Sequence, residues 1–248
     1  TDDGGEKWTR LTNGLPGGKI GRIGIDLFQK NPLILYALLE NQNPKGASTG
    51  PVNSTSPLAQ GIVGNELYRT DDGGKTWRKV SGDVNVAGGK APYSFNQIKI
   101  NPFNDQQVVV NSDSMFQTRD GGKTWTMDFM RGTFGDFRCM WWDAQDEDRV
   151  MTCSDGGVTV SYDRGKTTDW FPNMKVGEAY ALGVDMDDPY HVYAGFQDHD
   201  SWKGPVNSRW GEITLEDWVT VGPGDGMYNM VDPRSEEHTS ELQSRETI

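Results

Sequence analysis

The chain of 248 residues is poor in several things, and each shortage removes a class of function. It has two cysteines, Cys139 and Cys153, and three histidines, with no Cys-x-x-Cys and no clustered His, so no metal set is expected. Basic residues are few: 24 Lys and Arg stand against 36 Asp and Glu, for a formal charge of −12. Phosphate backbones need clustered Lys and Arg, and no basic patch is evident, so nucleic acid is an unsuitable partner. No apolar run reaches the roughly 18 residues of a membrane span. No leader peptide is visible, and a chain that starts inside a motif does not show one, so secretion is not excluded. Long helical runs rich in Ala, Leu, Glu and Lys are also missing. What remains is 31 glycines and an ample set of Trp and Phe, the composition of many short strands joined by tight turns.

The turns repeat. "TDDGGEKW" opens the chain, "TDDGGKTW" returns at 70–77 and "TRDGGKTW" at 118–125. The shared positions are Thr1, Asp3, Gly5 and Trp8; Thr70, Asp72, Gly74 and Trp77; Thr118, Asp120, Gly122 and Trp125. A variant, "SYDRGKTTDW", keeps Ser161, Asp163 and Gly165 and moves its tryptophan to Trp170. In such a turn the Asp accepts hydrogen bonds from nearby backbone N–H groups. The Gly supplies positive φ without a Cβ penalty, and the Trp covers the bend with an apolar face. A calcium loop is the competing reading, but the alternating acids and closing Glu of an EF-hand are absent.

Between the octets lies a second pattern: "IGIDLFQKNP" (23–32), "IKINPFNDQQ" (98–107), "MWWDAQDEDR" (140–149) and "LGVDMDDPYH" (182–191). Each alternates apolar residues up to Asp26, Asn101, Asp143 or Asp185, a period-2 strand ending in a polar turn. A second strand follows each time, and a third leads into the octet. Each unit therefore reads as strand A, turn, strand B, loop, strand C, octet, strand D. Four antiparallel strands repeated radially predict an all-β fold, a partial β-propeller. The blades are expected at about 20–80, 94–128, 137–172 and 178–221, with partial blades at 1–13 and 226–233. The first carries a Gly/Pro/Ser/Asn-rich insertion between strands B and C, at 41–64.

The motif Ser/Thr-x-Asp-x-Gly-x-x-Trp resembles the Asp-box, or BNR repeat, of sialidase-like and sortilin-type propellers. The stretches "GLPGGKIGRIGID" (14–26), "SDGGVTVSYDRGKT" (154–167), "VDMDDPYHVYAGFQDHDSWKGP" (184–205) and "GPGDGMYNMVDP" (222–233) resemble the bacterial sortilin-N-terminal-like family, whose members are often labelled glycosyl hydrolases. The resemblance covers nearly all of 1–233 and implies an extracellular or periplasmic protein, with a carbohydrate or a peptide as partner and no cofactor. Residues 234–248 ("RSEEHTSELQSRETI" from Arg234) resemble a translated sequencing adapter and are expected to be non-native or disordered. With an opening octet that lacks strand C and a closing strand A that lacks its blade, the chain reads as part of a larger propeller, whose remaining blades are partners it needs.

In this strand order the A–B and C–D turns lie at one end of each blade, and the B–C and D–A loops at the other. The octet aspartates are thereby structural. The opposite end gathers Asp136, Asp155, Asp198, Asp200 and Asp225, with Arg138, His199 and Trp202. Paired carboxylates perform glycoside hydrolysis, and the candidate catalytic acids are Asp198 and Asp225, then Asp136. Arg138 is a candidate for holding an anionic group, and His199 and Trp202 for ligand contact, since Trp offers a flat apolar face to a sugar ring. The competing reading is structural, because Asp beside Gly is itself a turn signature. Pairing Trp142 with Val150 would set Cys139 opposite Cys153. A cross-strand disulfide is then one outcome, and two buried thiols are the expected one, because directly opposed positions strain the bridge.

Overall fold

The computed structural model describes residues 1, 3–45, 61–82, 97–171, 173–174, 177–209 and 211–231, and the backbone of 240–242. Most of the 41–64 insertion, the "KAPYSFN" segment and nearly all of 234–248 lie outside the described residues. Two compact units divide the chain, Thr1–Met174 and Lys175–Ile248.

The first unit holds three blades. Strands β1 (Ile20–Leu27), β2 (Leu35–Pro44), β3 (Ile62–Thr70) and β4 (Arg78–Lys79) form the first, in the order β1-β2-β3-β4. The second has β5 (Gln97–Asn101), β6 (Asn104–Asn111) and β7 (Met115–Thr118). Its expected fourth strand shrinks to a single bridge, Gln117 to Thr126. Asp128 lies just beyond and accepts from Gln117 Nε2 at 2.7 Å and from the Thr126 hydroxyl, so side-chain bonds continue the contact with β7 where the backbone ladder stops. The third blade runs β8 (Phe137–Trp142), β9 (Val150–Ser154), β10 (Gly157–Ser161) and β11 (Asp169–Phe171). All pairings are antiparallel. The fold is an all-β partial propeller of four-stranded antiparallel blades.

Stacking of blades follows from period-2 burial. In β6 the run Val108-Val109-Val110 is fully buried on both faces. Val108 and Val110 pack with Tyr36, Leu38, Leu67, Ile98 and Ile100 of the first two blades. Val109 points the other way, with Met115, Phe129, Phe137, Met140, Trp142 and Val150 toward the third. Alternation in β2 divides the same way, since Ala37 and Leu39 turn to Tyr68 and Trp77. Polar ties reinforce the first interface. Arg69 donates to the Tyr36 hydroxyl at 2.7 Å and pairs with Asp105 at 2.5 Å, while Asp26 Oδ2 accepts from Ile100 N at 2.8 Å.

The second unit contains a complete blade of β12 (Ala179–Val184), β13 (His191–Phe196), β14 (Ser201–Pro205) and β15 (Val219–Gly222). No octet joins β14 to β15. A single 3-10 turn, Leu215–Asp217, does so, capped by Thr214 and Asp217. β16 (Asn229–Val231) begins the next sheet and packs against β12. It pairs with the backbone of β17 (Ser240–Leu242), a strand that no alternation in 234–248 suggests. An edge strand presents unpaired backbone groups that an extended segment of almost any composition satisfies.

Candidate functional site

Four octets fold to one hydrogen-bond pattern. In the second, the Thr70 hydroxyl donates to Asp72 Oδ1 at 2.7 Å and accepts from Gly74 N at 3.0 Å. Asp72 Oδ1 accepts Thr76 N at 2.9 Å, and Oδ2 accepts the Thr76 hydroxyl at 2.6 Å. Trp77 Nε1 donates to Gly74 O at 3.1 Å. These donors, the Thr76 hydroxyl foremost, hold the Asp72 carboxyl down at about 2. Asp120 and Asp163 are held at about 2 by equivalent bonds, led by the Thr124 hydroxyl and the Thr167 N–H respectively. The opening octet closes the same bonds except the one to Oδ2, since Lys7 stands where the others have Thr, and its Trp8 is 79% exposed. In the variant octet the displaced Trp170 donates instead to Gly156 O, at 2.7 Å.

The octets dock on their own blades' A–B turns: Gly73 N donates to Leu33 O, Gly121 N to Gln106 O and Arg164 N to Asp148 O. The other end is tied by different bonds. Asp136 N and Phe137 N donate to Asp113 O and Ser112 O, joining a D–A loop to a B–C turn in the first unit. In the second unit Asp200 N donates to Gly224 O at 2.9 Å, and Gly226 N to Phe196 O at 2.9 Å. The two kinds of turn therefore occupy opposite ends, with the octet aspartates at one and Asp136 and Asp155 at the other.

Within the second unit, Asp198 and Asp225 come together. Asp225 Oδ1 accepts the backbone N–H of Asp198 at 2.9 Å. Covalent reach then keeps the two carboxyl groups inside about 9.5 Å, the outer limit of paired-acid spacing. Asp200 Oδ1 accepts Gly224 N at 2.7 Å, locking the two loops in the reverse direction. Asp198 and Asp200 both sit in the left-handed region, φ 59° and 66°, which Asp tolerates better than most residues. His199 Nδ1 lies 2.9 Å from Gln197 O, and Trp202 Nε1 donates to His199 O at 2.6 Å. Tyr180, at the start of β12, adds its hydroxyl to Gln197 Oε1 at 2.7 Å. Sequence reasoning missed Tyr180, although its place at the D–A end of strand A was a signal for it.

The other candidates belong to the first unit. Asp136 has φ 61° and accompanies Asp113. Arg138 meets Asp155 in a forked pair, Nε to Oδ1 at 3.0 Å and Nη2 to Oδ2 at 3.3 Å. A bulge in β8 aims it there: Phe137 faces Ser154 while Cys139 faces Cys153, leaving Arg138 without an opposite number. Two exposed aromatic residues flank the pair's loop, Phe134 against the Cα of Gly156 and Trp170 on its carbonyl.

The register of β8 on β9 is the expected one, Trp142 to Val150 and Cys139 to Cys153. The thiols are free, and they are not both buried: Cys139 is exposed and Cys153 half-buried. Alternation explains it, since Met140, Trp142 and Val150 take the core face and leave Cys139 and Trp141 on the other. Burial and the adjoining Cys139 thiol push the Cys153 thiol up to about 11.

Among the described residues, Asp185, Asp187 and His191 bring ligand-type atoms within 4.8 Å of one another, a cluster the sequence reading did not find. Its members already serve each other: His191 Nδ1 lies 2.9 Å from Asp185 Oδ2, and Lys203 Nζ supplies a cation 3.6 Å from the same oxygen. Burial raises the Asp185 carboxyl, but the backbone N–H groups of His191 and Asp187 and the His191 ring outweigh it and hold the acid at about 2. No described helix is long and apolar enough to cross a membrane.

No family model and no curated protein matches the chain. Solved structures resemble it loosely. A GH74 enzyme of Niastella koreensis is 13% identical over 81% of this chain and 30% of its own, with a TM-score of 0.42. The GH74 xyloglucanase of Xanthomonas campestris is 12% identical over 88% of this chain and 32% of its own, TM-score 0.43. YCF48 bound to D1 peptide is 14% identical over 79% and 56%, TM-score 0.37. The chain spans under a third of the length of either GH74 enzyme. The fold assignment rests on strand order, register and blade stacking.

Proposed function

We propose that the chain belongs to a secreted Asp-box propeller protein that acts on carbohydrate, with glycoside-hydrolase-like chemistry at the B–C and D–A end of its blades. One observation carries the reading: Asp225 bonds to the backbone of Asp198, which sets two acids side by side on interlocked loops. Asp225, already accepting a backbone N–H, is the better-anchored partner. Asp198 is the general acid. Trp202, His199 and Tyr180 line the same end and supply the flat faces and hydroxyl that orient a sugar. Arg138 and Asp155, with Phe134 and Trp170, form a comparable polar and aromatic group on the third blade. The octet turns are Asp-boxes on this reading and take no part in chemistry.

The test is a panel of polysaccharides, read by binding and by release of reducing ends. Asp198→Asn is expected to lower release about 100-fold or more while binding stays within about threefold, the signature of a lost general acid. Binding of peptides rather than glycans, unchanged by Asp198→Asn, would replace this reading with a sortilin-type capture propeller.

A further inference from the structure

We propose that Cys139 and Cys153 form a redox site, a cross-strand dithiol that a hydroperoxide closes to a disulfide and a small dithiol reopens. The pair is set by register: the two residues are direct partners in β8 and β9, so their side chains leave the sheet on one face. Facing residues in an antiparallel pair have Cα atoms about 4.5–5.5 Å apart, inside the roughly 4.4–6.8 Å range of disulfides. Both thiols are free, and Cys139 is open to solvent. The face they share is turned away from the cluster of Met140, Trp142 and Val150, so closing the bond leaves that packing intact.

The roles follow from access. The Cys139 thiolate attacks one peroxide oxygen; the O–O bond breaks, and the leaving oxygen departs as water after taking up a proton. Cys139 now carries a sulfenic acid. Cys153, half-buried and directly opposite across the ladder, attacks the Cys139 sulfur. The S–O bond breaks, the S–S bond forms, and the Cys153 proton leaves with the hydroxide as a second water. Two thiols lose two electrons in total, and the peroxide gains them. Directly opposed positions strain such a bond, and strained, accessible disulfides are the ones that thiols readily reduce.

The whole chain, treated with hydrogen peroxide and then labelled with a maleimide, tests this by mass spectrometry. The expected product loses about 2 Da, takes no label, yields a Cys139–Cys153 linked peptide and recovers both labels after dithiothreitol. A product heavier by about 16 or 32 Da at Cys139, with Cys153 still labelled, would overturn the proposal. So would a majority of disulfide-linked dimers. In Cys153→Ser, dimedone should trap Cys139 sulfenic acid at least about tenfold more than in the native chain, because the resolving thiol is gone. Equal trapping in both would sink the assignment, and the measurement on the native chain stands even if that variant folds poorly.

Discussion

Replacing Asp120 isolates what one octet contributes. Its Oδ1 accepts from the Thr118 hydroxyl at 2.8 Å, Lys123 N at 3.0 Å and Thr124 N at 2.9 Å, and its Oδ2 from the Thr124 hydroxyl at 2.6 Å. Those donors, the Thr124 hydroxyl first, depress the carboxyl from 3.8 to about 2. Each decade of depression corresponds to about 1.4 kcal/mol where nothing screens it; on this solvent-washed turn the total falls to about 1 kcal/mol. The sign follows from the depression. The contribution is complete above pH 3.8, the unfolded value, and is lost as pH falls through about 2. Asp120→Asn keeps the shape and removes the charge, so it should melt about 2–4 °C below the native chain at pH 7. Roughly half of that gap should remain at pH 3, and almost none at pH 2. Asp120→Ala also strips an acceptor from two backbone N–H groups and should lose about 1.5 kcal/mol, as caps do. Thermal unfolding followed by circular dichroism across that pH range decides the matter. An Asn variant as stable as the native chain at pH 7, or a gap that does not narrow in acid, refutes the reasoning.

Three other outcomes are expected. Gly195→Ala would drive a Cβ to 1.6 Å from the Gly226 carbonyl oxygen; it should destabilise the second unit by more than about 3 kcal/mol, seen as faster proteolysis, and abolish whatever Asp198 and Asp225 do together. Leu67→Ala, at a fully buried position between the first two blades, should cost about 3 kcal/mol in denaturant titration. Arg69→Met should cost about 3 kcal/mol by the same measurement, because Asp105 and the Tyr36 hydroxyl lose their shared donor at a nearly closed interface.

Much of the architecture was legible because its signals are local. Alternation ending in Asp26, Asn101, Asp143 or Asp185 marked each strand A, and the octets marked three of the C–D corners that follow a described strand C. The register that opposes Cys139 to Cys153 followed from one pairing. Other features depend on contacts that spacing does not encode. The bulge at Arg138 exposes a residue that alternation from Met140 and Trp142 would bury, and so turns its guanidinium to Asp155. The second blade's outer strand shrinks to one bridge at Thr126, with Asp128 tied to Gln117 by a side-chain bond that spacing does not announce. The fourth blade turns its last corner through Thr214 and Asp217 with no octet at all. At the candidate site, Asp198, Asp225, His199 and Trp202 could be sorted to one end, yet the backbone bond that joins Asp225 to Asp198 arises only when two loops interlock.

The opening octet has a kinetic meaning. Thr1, Asp3, Gly5 and Trp8 complete their corner through bonds between residues no more than four apart. A bend of eight residues closes within about 10–100 ns, far sooner than distant strands meet. Corners that form first fix which residues oppose which, and each ribbon then zips outward from its own bend. A wheel that folds from its corners makes its short-range decisions early and leaves the slow search to the docking of one finished ribbon on the next.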